Sequence, residues 1–160
     1  TAFKPPSEWT PPDVFPTELL TNATQVAIDI ETRDPNLKEK GPGFTRGDGE
    51  IVGISFACEG FEGYFPFAHE TGFNFPKSKV MEFTKKVCAA TNDKIFHNAP
   101  YDVGWLRSSG VTINGRIIDT MVVAPLIDEN QYWYTLNALG REYVNEGKTE
   151  AELNAAAEEW

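Results

Sequence analysis

Apolar and polar positions alternate through Val26-Ala27-Ile28-Asp29-Ile30-Glu31-Thr32. Successive side chains of a strand point to opposite faces, so Val26, Ile28 and Ile30 share one face and Ala27, Asp29 and Glu31 the other. The first face is wholly apolar and β-branched, which suits a buried sheet surface. Segment 24–31 therefore reads as a buried strand. Two more strands are expected at 50–57 and 62–67, with Gly60 to Gly63 as the hairpin turn between them. The period then changes. Val80, Phe83, Val87 and Ala90 recur near helical spacing and predict a helix over 76–90. A short strand follows at 94–97, then a helix at 100–108 ended by Gly110. A strand lies within 111–119, an apolar helix at 120–127, and a helix at 135–144 with Leu136, Leu139 and Tyr143 on one face. Thr149 and Glu152 form a capping box that opens a last helix.

The order is three consecutive strands, then helix–strand–helix–strand, then helices. Three antiparallel strands followed by parallel crossovers make a mixed α/β sheet. This is the chain order of a ribonuclease-H-like domain flanked by helices, with the first strand central.

Composition narrows the class. A chain of 160 residues suits one domain, and 41% hydrophobic with 12% aromatic residues argues against disorder. Residues 1–20 are proline-rich, as in Lys4-Pro5-Pro6 and Thr10-Pro11-Pro12, and read as an arm or linker that Trp9 and Phe15 pin to the body. The folded domain is expected over 21–160. The chain starts with Thr1, which reads as a piece excised from something longer. No apolar run reaches the roughly 20 residues of a membrane span, and no signal-peptide pattern opens the chain. Cys58 and Cys88 sit in apolar segments and read as reduced cysteines of an intracellular, cytoplasmic protein. The net charge of −10 excludes broad electrostatic affinity for nucleic acid, so such chemistry needs a local site, a metal or a basic partner domain. Between Arg33 and Gly49 the chain is polar and rich in glycine. It reads as a mobile, solvated excursion, or else as a loop beside substrate, because it leaves the strand that carries both acids.

Those acids are the first candidate chemistry. Asp29 and Glu31 lie roughly 6.6 to 7 Å apart along one strand face. Two anions so placed raise each other's pKa unless a cation lies between them, and hard oxygen ligands suit Mg²⁺ or Mn²⁺. An arbitrary Asp-x-Glu is more often the wet face of an edge strand; the apolar neighbours argue against that here. The second candidate is His97-Asn98-Ala99-Pro100-Tyr101-Asp102-Val103-Gly104-Trp105-Leu106. Pro100 suits a first helical position and Asn98 or Ala99 the cap. Positions 98, 101, 102, 105 and 106 form one helical face. Asp102 is the misfit there. An inward carboxylate is costly unless paired or bound to metal, although a helix N-terminus would also welcome it.

Asp29-Ile30-Glu31-Thr32 followed about seventy positions later by Asn98-Ala99-Pro100-Tyr101-Asp102 resembles the first two motifs of the DEDD 3′–5′ exonucleases. The proofreading domain of phage-type family A DNA polymerases is the closest kind. Ile51-Val52-Gly53-Ile54-Ser55-Phe56 and Ile118-Asp119-Thr120-Met121 also look like that family, and the likeness covers residues 20–145. The resemblance implies two-metal hydrolysis of a 3′-terminal phosphodiester, with two Mg²⁺ or Mn²⁺ ions held by Asp29, Glu31 and Asp102. It places Thr32, Asn98 and Tyr101 beside the terminal nucleotide. The implied partners are a single-stranded or frayed DNA 3′ end and a polymerase domain. Asp119, between a strand and a helix, reads as an N-cap in preference to a metal ligand. The family also uses a fourth acid in Tyr-x-x-x-Asp or His-x-x-x-x-Asp near its C-terminal helix. No such motif follows Tyr132, Tyr134, Tyr143 or His69, and the late acids Glu158 and Glu159 lack the tyrosine. The expectation is a chain truncated before that acid, with weak activity or none. An RNA-trimming nuclease of the same superfamily and a non-catalytic domain of the same fold are the alternatives.

Overall fold

The computed structural model describes residues 10–145. They fall into two compact units, one of Thr10–Asp119 and one from Thr120 onward. In the first unit β1 (Gln25–Arg33) pairs antiparallel with β2 (Glu50–Cys58) and parallel with β4 (Asp93–Phe96). β3 (Phe61–Pro66) extends β2, and β5 (Ile117–Asp119) extends β4 in parallel, which gives the order β3-β2-β1-β4-β5. The mixed sheet and its central first strand are those that the chain order implies.

Register explains why one sheet face is apolar and the other chemical. Residues paired across strands point to the same face. Ile30, Ile54 and Phe65 form one row, and Ile28 and Phe56 belong to the next on the same side. All five are buried. α3 (Lys77–Ala89) covers this face, with the Phe83 ring edge-on to Phe56 at 5.1 Å. The other face carries Asp29, Ser55 and Tyr64 in one row and Glu31, Gly53 and Pro66 in the next. Past Glu31 the register shifts by one residue, a bulge in β2 at Val52 that ends the regular pairing beside the second acid.

The folded body begins before residue 21. α1 (Thr17–Asn22) buries Leu20 completely, and Phe15 stacks on Phe65 at 5.0 Å. The short helix follows Pro16 and has no long apolar period, so propensity alone did not reveal it. Trp9, the other expected anchor, lies outside the described residues, as does the expected helix after Thr149. The polar stretch 33–49 is largely exposed but regularly folded. It holds a helical turn, α2 (Leu37–Lys40), and a 3₁₀ turn (Gly43–Thr45). The Asp34 side chain is buried and accepts the Gly43 N–H at 2.8 Å, while Asn36 donates to Asp48 at 2.7 Å. Asp34, Asn36 and Asp48 find hydrogen-bond partners within the loop, while Leu37–Lys40 and residues 45–47 stay exposed.

Lys94 on β4 is fully buried. Its ammonium donates to the carbonyls of Ala90 at 2.8 Å, Asn92 at 2.7 Å and Asn114 at 3.2 Å, and to Asn92 Oδ1 at 2.7 Å. It ties the end of α3 to the segment before β5. Burial lowers its pKa. The second unit holds α5 (Thr120–Ile127) and α6 (Leu136–Leu139), which runs on into a π-helical turn at Gly140–Val144. Thr135 caps α6 by accepting the Ala138 N–H. The helix expected over 135–144 thus widens after one turn. No helix among the described residues is long and apolar enough to cross a membrane.

Candidate functional site

Asp29 and Glu31 both stand exposed on the open face of the central strand. Gly53 is the residue paired with Glu31, and a Cβ there would overlap the Tyr64 hydroxyl. The missing side chain is what lets Tyr64 lean across β2 toward the acids. Burial first, and then the charges of Glu31 and Asp29, push the Tyr64 pKa far above its ordinary value. The Tyr64 hydroxyl is also hydrogen-bonded to His69 Nε2, and Asn74 Oδ1 accepts the His69 backbone N–H at 2.9 Å.

The third acid comes from α4 (Ala99–Ser108). Along its inward face Asp102, Trp105 and Leu106 are buried and Tyr101 is half-buried, while Asn98 at the start is exposed. Asp102 is only 4% exposed. Its carboxyl is pushed up to about 7 by burial first, then by the charges of Asp29, Asp119 and Glu31. Asn98 occupies the cap position with φ of 72°, a left-handed conformation that asparagine tolerates. Its side chain makes no capping hydrogen bond. Asp119 caps instead, through Oδ1 to the Asn98 N–H at 3.0 Å and Oδ2 to the Ala99 N–H at 2.8 Å. Asp119 thus serves as a cap on α4, the helix one strand earlier. This exchange frees the Asn98 side chain to face the cavity.

That cavity has a volume of about 620 Å³. Glu31, Thr32, Asn98 and Tyr101 contribute its polar lining, and Leu37, Pro42 and Phe44 of the 34–48 loop supply an apolar wall. Thr32 Oγ1 and the Tyr101 hydroxyl are hydrogen-bonded at 2.7 Å. Phe44 meets Trp105 edge-on at 5.8 Å, in space that Gly104 leaves by having no side chain. The structure thus brings Thr32, Asn98 and Tyr101 to one cavity, with Glu31 on its edge. Asp29, Glu31 and Asp102 lie within electrostatic reach of one another. Among the described residues, however, no three His, Cys, Asp or Glu side chains are gathered closely enough to enclose an ion. The late acids Glu158 and Glu159 lie outside the described residues.

No protein-family model matches the chain. Over 156 residues the chain is 38% identical to a DNA-directed DNA polymerase of Pseudomonas phage M6, covering 94% of this chain and 24% of that polymerase. It thus spans about a quarter of the length of the curated relative it matches. Among solved structures, RNase D of Escherichia coli, an exoribonuclease involved in structured RNA processing, overlays with a TM-score of 0.60 at 13% identity, over 85% of this chain and 32% of that one. The POL domain of Pol1 from M. smegmatis, in complex with DNA primer-template and dNTP, gives 0.60 at 16% identity, over 89% of this chain and 23% of that one. NrnC of Brucella melitensis with bound Mg²⁺ gives 0.58 at 16% identity, over 84% and 60%. The chain shares the fold of these solved nuclease and polymerase structures, and it is related to a phage DNA polymerase. Three residues near the site had no local signal in the sequence. Tyr64 and His69 come from β3 and the turn after it, and Asp34 comes from the loop. Register across β2 and the absent side chain of Gly53 reveal the first; the burial of a charged-type residue in a polar loop reveals the last.

Proposed function

We propose that this chain is the 3′–5′ proofreading exonuclease domain of a DNA polymerase, cleaving the 3′-terminal phosphodiester and releasing a nucleoside 5′-monophosphate. The observation that carries the reading is the buried Asp102 carboxyl, held up near 7 among the charges of Asp29, Asp119 and Glu31 beside a nucleotide-sized cavity. Hard carboxylate oxygens in mutual repulsion fit Mg²⁺ or Mn²⁺, which offset that repulsion. Asp29, Glu31 and Asp102 would hold such ions, while Asp119 is engaged at the α4 N-terminus. Bound divalent ions supply charge to the phosphate and lower the pKa of an adjacent water. The solved fold neighbour with bound Mg²⁺ supports divalent metal in this fold class.

The chain's own residues address the nucleotide. Thr32, Asn98 and Tyr101 offer hydrogen-bonding groups for the sugar and phosphate. Leu37, Pro42 and Phe44 offer apolar contact to a base without reading its edge. An unpaired or mismatched 3′ base enters such a slot at lower cost than a paired one. That difference is the selection proofreading needs. The remaining three quarters of the related polymerase supports a polymerase partner, and a chain of net charge −10 needs its phosphate-binding surface supplied there.

Two readouts test this. Mn²⁺ titration calorimetry of the chain should show binding that Asp29→Ala removes while circular dichroism stays unchanged. Whatever slow shortening of single-stranded DNA from its 3′ end the chain achieves without the fourth acid should show the same metal dependence, and should exceed that of RNA of the same sequence. Equal shortening by Asp29→Ala would sink the mechanism, and a preference for RNA would replace DNA by RNA as substrate.

A further inference from the structure

A line of hydrogen bonds leads from the cavity into the loop that walls it. The Thr32 and Tyr101 hydroxyls are 2.7 Å apart, and the Tyr101 hydroxyl donates to Asp34 Oδ2 at 3.2 Å. The same carboxyl oxygen accepts the Gly43 N–H at 2.8 Å. A tyrosine hydroxyl has one proton, so with that proton on Asp34 the donor in the first bond is Thr32. The Tyr101 hydroxyl is thus held from both sides.

Asp34 is an expensive choice for a merely structural tie. Its side chain is 2% exposed, and Oδ1 is buried with no hydrogen-bond partner among the described residues. The Arg46 guanidinium stands 4.0 Å from that oxygen, at the limit of an ion pair. A buried carboxyl oxygen without a donor destabilises the fold, and asparagine would present the same acceptor to Tyr101 without a second acid oxygen to satisfy. The carboxyl also joins two parts of the cavity that are separate in sequence: the polar side at Tyr101, and the wall of Leu37, Pro42 and Phe44.

Building on the proposed function, we infer that Asp34 is the positioning residue of the terminal-nucleotide cavity, orienting the Tyr101 hydroxyl and latching the 34–48 loop to it. The cavity is thereby shaped before a 3′ end arrives, so that binding does not have to order the loop. Asp34 itself touches no substrate. It acts through Tyr101 and through Gly43.

The test is a double-mutant cycle on the whole chain, read by fluorescence anisotropy of a single-stranded DNA oligonucleotide labelled at its 5′ end, in Ca²⁺. Asp34→Ala and Tyr101→Phe should each weaken binding about tenfold, the size of one lost hydrogen bond. The double variant should be little weaker than either single one, and Asp34→Asn should restore most of the affinity. The second readout needs no substrate. With 3-fluorotyrosine incorporated, the ¹⁹F resonance assigned to Tyr101 by Tyr101→Phe should move in Asp34→Ala and return toward its place in Asp34→Asn. Additive losses in the cycle, or an unmoved Tyr101 resonance, overturn the inference. A wild-type chain that binds no 3′ end overturns the proposed function, and the fluorine spectrum still decides whether Asp34 positions Tyr101.

Discussion

Replacing Asp102 by asparagine separates the charge of this residue from its packing. Its carboxyl is raised from an ordinary 3.8 to about 7. At about 1.4 kcal/mol per unit, that shift of about three units bounds the cost of ionising Asp102 in the metal-free fold at ~4 kcal/mol. Side-chain relaxation and water entry reduce such penalties, and about 2 kcal/mol is the expected value. The sign follows from proton counts. Between the unfolded and folded pKa values the folded state holds the extra proton, so stability falls as pH rises. Below about pH 4 Asp102 is neutral in both states and costs nothing; above 7 the full penalty applies. Asparagine has nearly the same shape and no charge. Urea unfolding followed by tryptophan fluorescence in EDTA should therefore give nearly equal stabilities at about pH 3.5, below the unfolded pKa. At pH 8.5 Asp102→Asn should be more stable by about 2 kcal/mol, or roughly 4–8 °C in Tm for a chain of this size. Mn²⁺ should reverse the order, because it stabilises the form that binds it. An Asp102→Asn variant destabilised equally at both pH values would show a carboxylate already paired in the fold, and the reasoning would fail.

Three further outcomes follow from individual contacts. Lys94→Met should cost more than about 3 kcal/mol in urea unfolding, because it leaves the four oxygen acceptors around the ammonium unpaired; a loss below 1 kcal/mol would mean that water replaces it. Gly104→Ala gains up to about 1 kcal/mol of helix propensity but drives a methyl into the Phe44 ring, an overpacking cost of about 1–3 kcal/mol. The net should be a less stable chain with a loosened 34–48 loop, seen as faster amide exchange there; a stabilised variant would refute the contact. Asp119→Ala removes the acceptor of two N–H groups at the start of α4 and should cost about 1–2 kcal/mol, with amide exchange rising at residues 98–101; unchanged exchange there would refute the cap.

Local pattern was enough for the frame of this molecule. Alternation in Val26–Glu31 placed an apolar face and an acidic face on the same strand, because side-chain direction in a strand is set within the strand itself. The helical spacing of Val80, Phe83 and Val87 placed the helix that covers the apolar face, for the same local reason. The inward position of Asp102 was legible as a misfit in an otherwise apolar stripe. Tertiary structure decided what no spacing contains. Asp119 looked like a cap for the helix after it, yet it caps α4, because the parallel pairing of β4 and β5 carries it to that N-terminus. The 33–49 stretch looked solvated by composition, but its acids and amides find partners within the loop and on Tyr101, far along the chain. Lys94 began a short strand in the sequence with no role assigned, and the chain reversal around it supplied four oxygens. Tyr64 reaches the acids only because Gly53 of the intervening strand has no side chain. Periodicity is a property of neighbours in sequence, and it identified the strands and the longer helices and marked Asp29, Glu31 and Asp102 as candidates. Hydrogen-bond partners for buried polar groups are chosen across the sheet and between loops, and only the folded chain could reveal them.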